Sequence, residues 1–481
     1  MRPGFDTELR DEPVSRSGPI DISTWFVVGP AVKGPLTSRL LVSGKDYTVN
    51  YGGRDEALFV PDSIETFFAE GGTRAYMRRI VGPAATKATH NLLDGTPAAT
   101  LRVDAAWEGA WYNGLNVEIT TADGEFSVSV THDDDPDTVI AAGGPFATKA
   151  DAVAFFANSD IIRLTSLVPN TSPVAATVNL AGGDDDLDGI TDDDYAAGAD
   201  SFSLMMGPGQ VSFPGRTTAE AHAAVLAHCA ARNRRGVLDV PDSPNVGTLT
   251  AAAAAQRGTL AKQDRYGALF GPWDIVPGVL PNTKRTVPPC ARVAGTIARS
   301  DNATGNPNLP AAGDNGLAQF ALDITQTFTD DEYTTLNDAG VNMSRYIFGN
   351  DLQVYGYRTL VDPALDPRWV EFSGSRTIMY ATALARKVMA TFAFDQIDGE
   401  GHAFSELEGS IRSVLLPLYK PMRALYGATP QDAFRVYAGS ALNTPERVQN
   451  RELRVQMALK TSPFAEHVVT EIVRRLVTEE V

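Results

Sequence analysis

The chain has 481 residues, is 43% hydrophobic and 21% charged, and carries a formal net charge of −18. That composition is ordinary for globular proteins, the length allows roughly two to four domains, and no apolar run reaches the length of a membrane span. Two cysteines, Cys229 and Cys290, exclude a disulfide framework and point to a reducing compartment.

The first 20 residues mix Pro, Gly, Asp, Glu and Arg without an apolar core, so they read as an extended arm and not a secretory signal. The apolar run "TWFVVGP" predicts a buried strand. "PDSIETFFAEGG" predicts a helix with Asp62 as N-cap, Glu65 at N3 and Gly71 as terminator. "RAYMRRIV" predicts a second strand, and strand–helix–strand predicts a crossover unit.

The texture changes from about 83 to 200. That segment holds 20 acidic and 4 basic residues, a net of −16, which leaves −2 for the rest of the chain. "LNVEITT" and "EFSVSVTH" alternate apolar and polar residues, and Asn113-Gly114 and Asp123-Gly124 supply turns. An acidic, β-rich insertion facing solvent is expected. This distribution argues against a nucleic-acid grip, which needs a basic surface.

Beyond the insertion the α/β pattern resumes. "SFSLMMGP" reads as a strand, and "TTAEAHAAVLAHCAARNRRG" as a helix with Thr217 and Glu220 in capping-box register and Gly236 at its end. "VLDVP", "TLTAAAAAQRG" and "YGALFGPWDIV" read as strand, helix and strand. Successive crossovers predict an open parallel sheet. In the C-terminal third, "SELEGSIRSVLLPLYKPMRALYG" reads as a long helix with Ile411, Val414, Leu415 and Leu418 as its buried stripe. "AFRVYAG" and "LRVQMALK" follow as strands, and the β-branched tail "EHVVTEIVRRLVTEEV" reads as a strand.

No chemical constellation assembles. "GPGQVS" has Gly207 and Gly209 but Ser212 where a nucleotide loop would need its third glycine. Asp184, Asp186, Asp188 and Gly189 fall in calcium-loop register, but the twelfth position is Tyr195 instead of a bidentate glutamate. His222 and His228 are six apart on one helix, wrong for a metal pair. No cofactor and no catalytic residues are expected.

Several stretches together are similar to the contractile tail sheath proteins of bacteriophages and related injection machines. "VVGPAVKGP" with "FFAEGGTRAYMRRIVG" resembles the family's first crossover, and "AWEGAWYNGLNVEI" its insertion signature. "LAGGDDDLDGITDDDY" resembles its double-glycine, Asp-Gly turn, which accounts for the calcium-like register without a metal. "PWDIVPG", "VPPCARVAGTIARSDNATGNPNLPAAG" and "LNDAGVNMSRYIFGNDLQVYGYRTL" resemble its later run. In that setting Arg292, Arg299 and Asp301 are expected to pack and form ion pairs.

The resemblance implies a multidomain α/β (α+β) protein with α/β core domains, an inserted β-rich domain and extended terminal arms. Residues 1–22 would form an N-terminal arm joined with a 345–481 assembly domain, whose own arm is 467–481. Residues 23–82 and 200–344 would form the α/β domain, and 83–199 the acidic outer insertion. It implies a helical homo-oligomer around a tail tube protein, with baseplate and neck proteins at its ends, assembled in a bacterial host cytoplasm as part of a virion tail, without nucleic-acid binding or membrane insertion. Arm anchors would be Phe5, Val469, Ile472 and Val473, and the acceptor strands would carry Val436, Val455 and Met457. Arg412, Lys420 and Arg423 would line one basic helical stripe facing the tube, Arg412 and Arg423 about 20° apart on an ideal helix. Two other readings stay open: a hydrolase with a calcium-stabilised insertion, and a closed-shell, capsid-like assembly protein.

Overall fold

The computed structural model describes residues 20–168, 170–259, 263–347 and 351–466. Its centre is an eight-stranded sheet in the order 351–354, 341–347, 267–271, 235–239, 210–212, 25–29, 75–79, 39–41. The six inner strands are parallel and both edge strands antiparallel.

Trp25–Gly29 and Gly267–Gly271 are buried along their whole length, so in "WFVVG" and "GALFG" apolar residues run continuously instead of alternating with polar ones. Trp25 and Val27 face one layer, with Ile64 and Phe67 of the Val60–Ala69 helix and with Val293, Ala294 and Ile297 of the Cys290–Thr304 helix. Phe26 and Val28 face the other, with Tyr195, Val225, Leu226 and Leu249 from three further helices. The fold is therefore a doubly wound α/β sheet. In such sheets the crevice at the switch in strand order is where ligands enter. Here that switch lies between Trp25–Gly29 and Gln210–Ser212, and protein fills it. A Cβ on Gly29 would meet Val60 at 2.5 Å and Tyr195 at 3.6 Å, and Tyr195 packs on Phe213 with ring centroids 5.2 Å apart.

The chain leaves this sheet after Ala75–Arg79 and builds a lobe from two antiparallel sheets. One has four strands (176–179, 115–122, 125–132, 141–146) and one three (89–93, 99–105, 162–166). Leu101, Val103, Val117, Val128, Val130 and Phe156 lie in their shared apolar core. Tyr195 and Ala199, on the Asp192–Asp200 helix, pack instead on the large sheet. A three-stranded sheet (284–287, 274–277, 323–324) flanks the large one. The C-terminal part pairs the Phe372–Thr391 and His402–Tyr419 helices over a two-stranded sheet, Phe434–Tyr437 with Gln456–Leu459.

Several local expectations are corrected. The Val60–Ala69 helix starts ahead of Asp62, with Phe59 as N-cap and a proline in its first turn; Asp62 is buried and ion-paired with Arg54 and Arg285. "SFSLMMGP" is not a strand: Arg234 donates to the carbonyls of Phe202 (2.8 Å), Ser203 (2.7 Å) and Gly207 (3.0 Å), which holds a single turn. The next helix begins after Thr218 and ends at Asn233 in left-handed conformation, while Gly236 lies inside the following strand. "YGALFGPWDIV" is two strands in two sheets, broken at Pro272, which has no N–H to donate to a ladder.

Candidate functional site

The Cys290–Thr304 helix begins behind two prolines and closes on Gly305, φ 64°, whose N–H donates to the Asp301 carbonyl at 2.7 Å. Its small residues let it lie very close to the Val60–Ala69 helix. A Cβ on Gly295 would stand 2.7 Å from the Phe67 carbonyl oxygen and 2.7 Å from the Glu70 Cβ.

Three charged residues project from this helix in three directions. Arg292 Nε meets both oxygens of Asp274, at 2.8 and 2.9 Å, and Nη2 donates to Ser344 at 2.6 Å, all fully buried. Burial pushes the Asp274 carboxyl up to about 6 against the opposing pull of Arg292. Arg299 donates to the Glu70 carbonyl at 2.8 Å and to its carboxylate at 3.2 Å. The same carboxylate accepts the N–H groups of Gln319 and Phe320, each at 2.9 Å. Asp301 pairs with Arg376 of the Phe372–Thr391 helix, and burial pushes it too up to about 6. One helix thus ties together the large sheet, the three-stranded sheet and the C-terminal helices. Cys290 is fully buried, and burial pushes its thiol well above the ordinary range, which favours the protonated form. The neighbouring Asp239 accepts the Cys290 N–H at 2.8 Å and the Gly215 N–H at 3.0 Å, and burial raises it to about 7.

A second joint carries the inserted lobe. Arg79, fully buried, donates to the carbonyls of Ala31 (3.0 Å), Gly34 (2.9 Å) and Glu108 (2.8 Å) and to Asp185 at 2.6 Å. Asp185 also accepts the Ala110 N–H at 2.8 Å, while the Asn113 amide exchanges two hydrogen bonds with Gly183. The "AWEGAWYNG" and "GGDDDLDG" stretches are therefore the two halves of one neck. Arg79 and Arg376 escaped sequence reasoning. The visible signal was a charged residue inside an otherwise apolar strand or helix pattern.

The calcium register does not become a site. Asp186 accepts the Ala84 N–H at 2.9 Å, Asp184 accepts the Asp186 N–H at 3.1 Å, and Asp188 is exposed. Among the described residues no three acidic, His or Cys side chains are grouped to hold a metal. His222 and His228 are buried and face different partners, the Arg216 carbonyl with Gln256, and Arg234. Burial lowers them to about 4 and about 3.

The basic stripe is also corrected. The helix ends at Tyr419, Lys420 is extended, and Arg423 has φ 54° beyond Pro421. Only Arg412 is on the helix, paired with Glu408 at 3.0 Å. Val436 and Met457 sit opposite each other in the two-stranded sheet, both against the C-terminal core, and Val455 packs there just before its strand. Among the described residues no third strand pairs with this sheet. Phe5, Val469, Ile472 and Val473 lie outside the described residues.

A cleft of about 810 Å³ opens beside the Asp330–Asp338 helix and residues 464–466. Three of its carboxylates are paired, Asp330 with Arg345 at 2.8 Å, Asp338 with Arg358 at 3.3 Å, and Glu466 with Arg358, while burial raises the carboxyl of a fourth, Glu371.

The class these features define is a multidomain α/β scaffold whose layers are locked by buried ion pairs and whose C-terminal sheet has two strands among the described residues. Residues 188–360 match the family model described as the phage tail sheath protein central domain. That match spans a little over a third of the chain. Among solved structures it is similar to the sheath tail protein Lin1278 from Listeria innocua, at 12% identity and TM-score 0.65, covering 89% of this chain and 90% of that one. It is also similar to the anti-feeding prophage helical sheath in its contracted state, at 14% identity and TM-score 0.55, covering 98% and 99%. The contracted sheath complex of the extracellular contractile injection system PVC gives 14% identity and TM-score 0.57, covering 99% of each chain. No curated protein matches by sequence.

Proposed function

We propose that this chain is the sheath subunit of a contractile tail or injection particle. It polymerises as a helical sleeve around a tail tube, docks on a baseplate and a neck, and shortens once to drive the tube through a target envelope. The observation that carries this reading is the sheath central domain at 188–360, supported by sheath-like folds over nearly the whole chain. A helical sleeve follows physically from heterologous contacts that do not close into one ring.

Subunits must stay linked while those contacts are remade. The two-stranded sheet at 434–437 and 456–459 supports a tether, because a pair of strands alone is marginal and open edges accept further strands. In this reading residues 1–22 and 467–481 of neighbouring copies complete that sheet, each main-chain bond adding about 1 kcal/mol. Contraction draws on surface buried between subunits, about 25 kcal/mol gross for each ~1,000 Å² of apolar area before ordering costs. No nucleotide is needed. The 83–199 segment lies outermost, its acidity limiting lateral sticking. Arg412, Lys420 and Arg423 remain tube-facing candidates, now as separate contacts and not one stripe.

Electron microscopy of the purified chain tests the reading. Sleeves support it, closed shells favour a capsid-like assembly, and stable monomers oppose both. Deleting residues 1–20 or 467–481 is expected to abolish polymer, by sedimentation, while circular dichroism stays unchanged.

A further inference from the structure

The inserted segment 83–200 has only four basic residues, and three of them, Lys87, Arg102 and Arg163, line one pocket of about 340 Å³. The fourth, Lys149, is buried on the carbonyls of Thr100 and Leu167, both at 2.8 Å. In a segment of net charge −16, isolated cations could find carboxylates almost anywhere, so their gathering is a placed feature.

The pocket is built by strand register. Arg102 and Asp104 alternate with buried Leu101 and Val103 on one strand; Arg163 and Thr165 alternate with buried Ile162 and Leu164 on its neighbour. The antiparallel pairing sets Arg102 opposite Thr165 and Asp104 opposite Arg163. Asp104 is already engaged by Arg102 Nε at 2.7 Å and by the Thr165 hydroxyl at 2.9 Å. Among the described residues Lys87 Nζ donates to the Ala106 carbonyl, at 3.0 Å. Arg163 stacks over Trp107, 5.2 Å from its ring centre. Both the Arg163 Nε and the Trp107 Nε1 are buried donors without an acceptor. The three cations against Asp104 leave a net charge of +2, with unfilled N–H groups, in a half-buried cavity.

We propose that this pocket is an oxyanion site, taking a phosphate-type ion or a carboxylate, with Arg163 and Lys87 as its donors. Buried donors left unfilled are costly, and charge-assisted hydrogen bonds to an oxyanion recover that cost. The carboxylate source with matching charge is an acidic side chain on the lobe of a second copy.

The test is calorimetric titration of the full-length chain with inorganic phosphate and with glutarate, each against sodium chloride at matched ionic strength. Saturable binding of either is expected, weakened about tenfold or more in Arg163→Gln. Lys87→Gln is expected to weaken it as well, and circular dichroism in chloride checks that both variants fold. Absence of saturable binding by both anions, or binding unchanged in both folded variants, overturns the proposal. Sedimentation of polymer at rising phosphate then separates the two sources: loss of polymer assigns the pocket to a neighbour's carboxylate, and unchanged polymer to a free ion.

Discussion

Around the large sheet Arg79, Arg234, Arg235, Arg292 and Arg376 are all fully buried, whereas the inserted lobe buries a single cation, Lys149, and otherwise relies on an apolar cluster. Apolar packing is non-directional and tolerates small adjustments. A buried guanidinium is different: its donors need acceptors in fixed directions, so the elements it joins have one relative placement. The centre of this protein is thus orientationally locked at each joint, and the lobe is attached through one such lock at Arg79.

Removing a central lock gives the largest expected effect. Arg292→Ala leaves Asp274 buried without its partner and is expected to cost about 3–5 kcal/mol in urea unfolding. Replacing both residues together, Arg292→Met with Asp274→Leu, is expected to recover most of that loss; failure to recover would mean that the pair does more than fix geometry. Leu115→Ala, in the lobe core, is expected to cost about 2–5 kcal/mol. By fluorescence of Trp25 and Trp273 against Trp107 and Trp111, that loss should fall on the lobe and leave the central transition in place. Gly295→Ala sharpens the comparison on the helix–helix side: helix propensity favours alanine, but the contact with Phe67 and Glu70 is expected to reverse the sign, at about 1–3 kcal/mol.

A pH effect should also separate the regions. Asp239 is raised to about 7, and Asp274 and Asp301 to about 6, all mainly by burial. A raised carboxyl binds its proton more tightly folded than unfolded, so stability rises as pH falls from above 7 toward 4. Asp239→Asn is expected to flatten the upper part of that rise in thermal melts, between about pH 8 and 6. The smallest effect is expected at Arg412, exposed and paired with Glu408. Arg412→Glu should change stability by under about 1 kcal/mol, so any larger loss of tube-templated assembly would report on a contact.

Fold type was legible because burial writes a period into the sequence. Val117, Ile119, Val128 and Val130 alternate with polar neighbours, and "WFVV" does not, which separates the half-exposed lobe sheet from the doubly covered central one. Local ends were less legible, because they depend on partners far along the chain. Arg234 takes the carbonyls that "SFSLMMGP" would need as a strand, and Asp62 serves Arg54 and Arg285 instead of a helix cap. The basic stripe failed because a periodicity argument assumes that the helix continues, and this one stops at Tyr419.

The sequence alone determined the types of the strongly periodic elements and the acidity of the 83–200 segment, since these depend on composition and spacing within a few residues. Only the tertiary structure decided which charges meet. Arg292 with Asp274, Asp301 with Arg376, Arg79 with Asp185, and the gathering of Lys87, Arg102 and Arg163 all join residues brought together by sheet order, strand pairing and helix packing. Those pairings set how firmly each layer is held, because a buried charge is stable only where the fold delivers its partner.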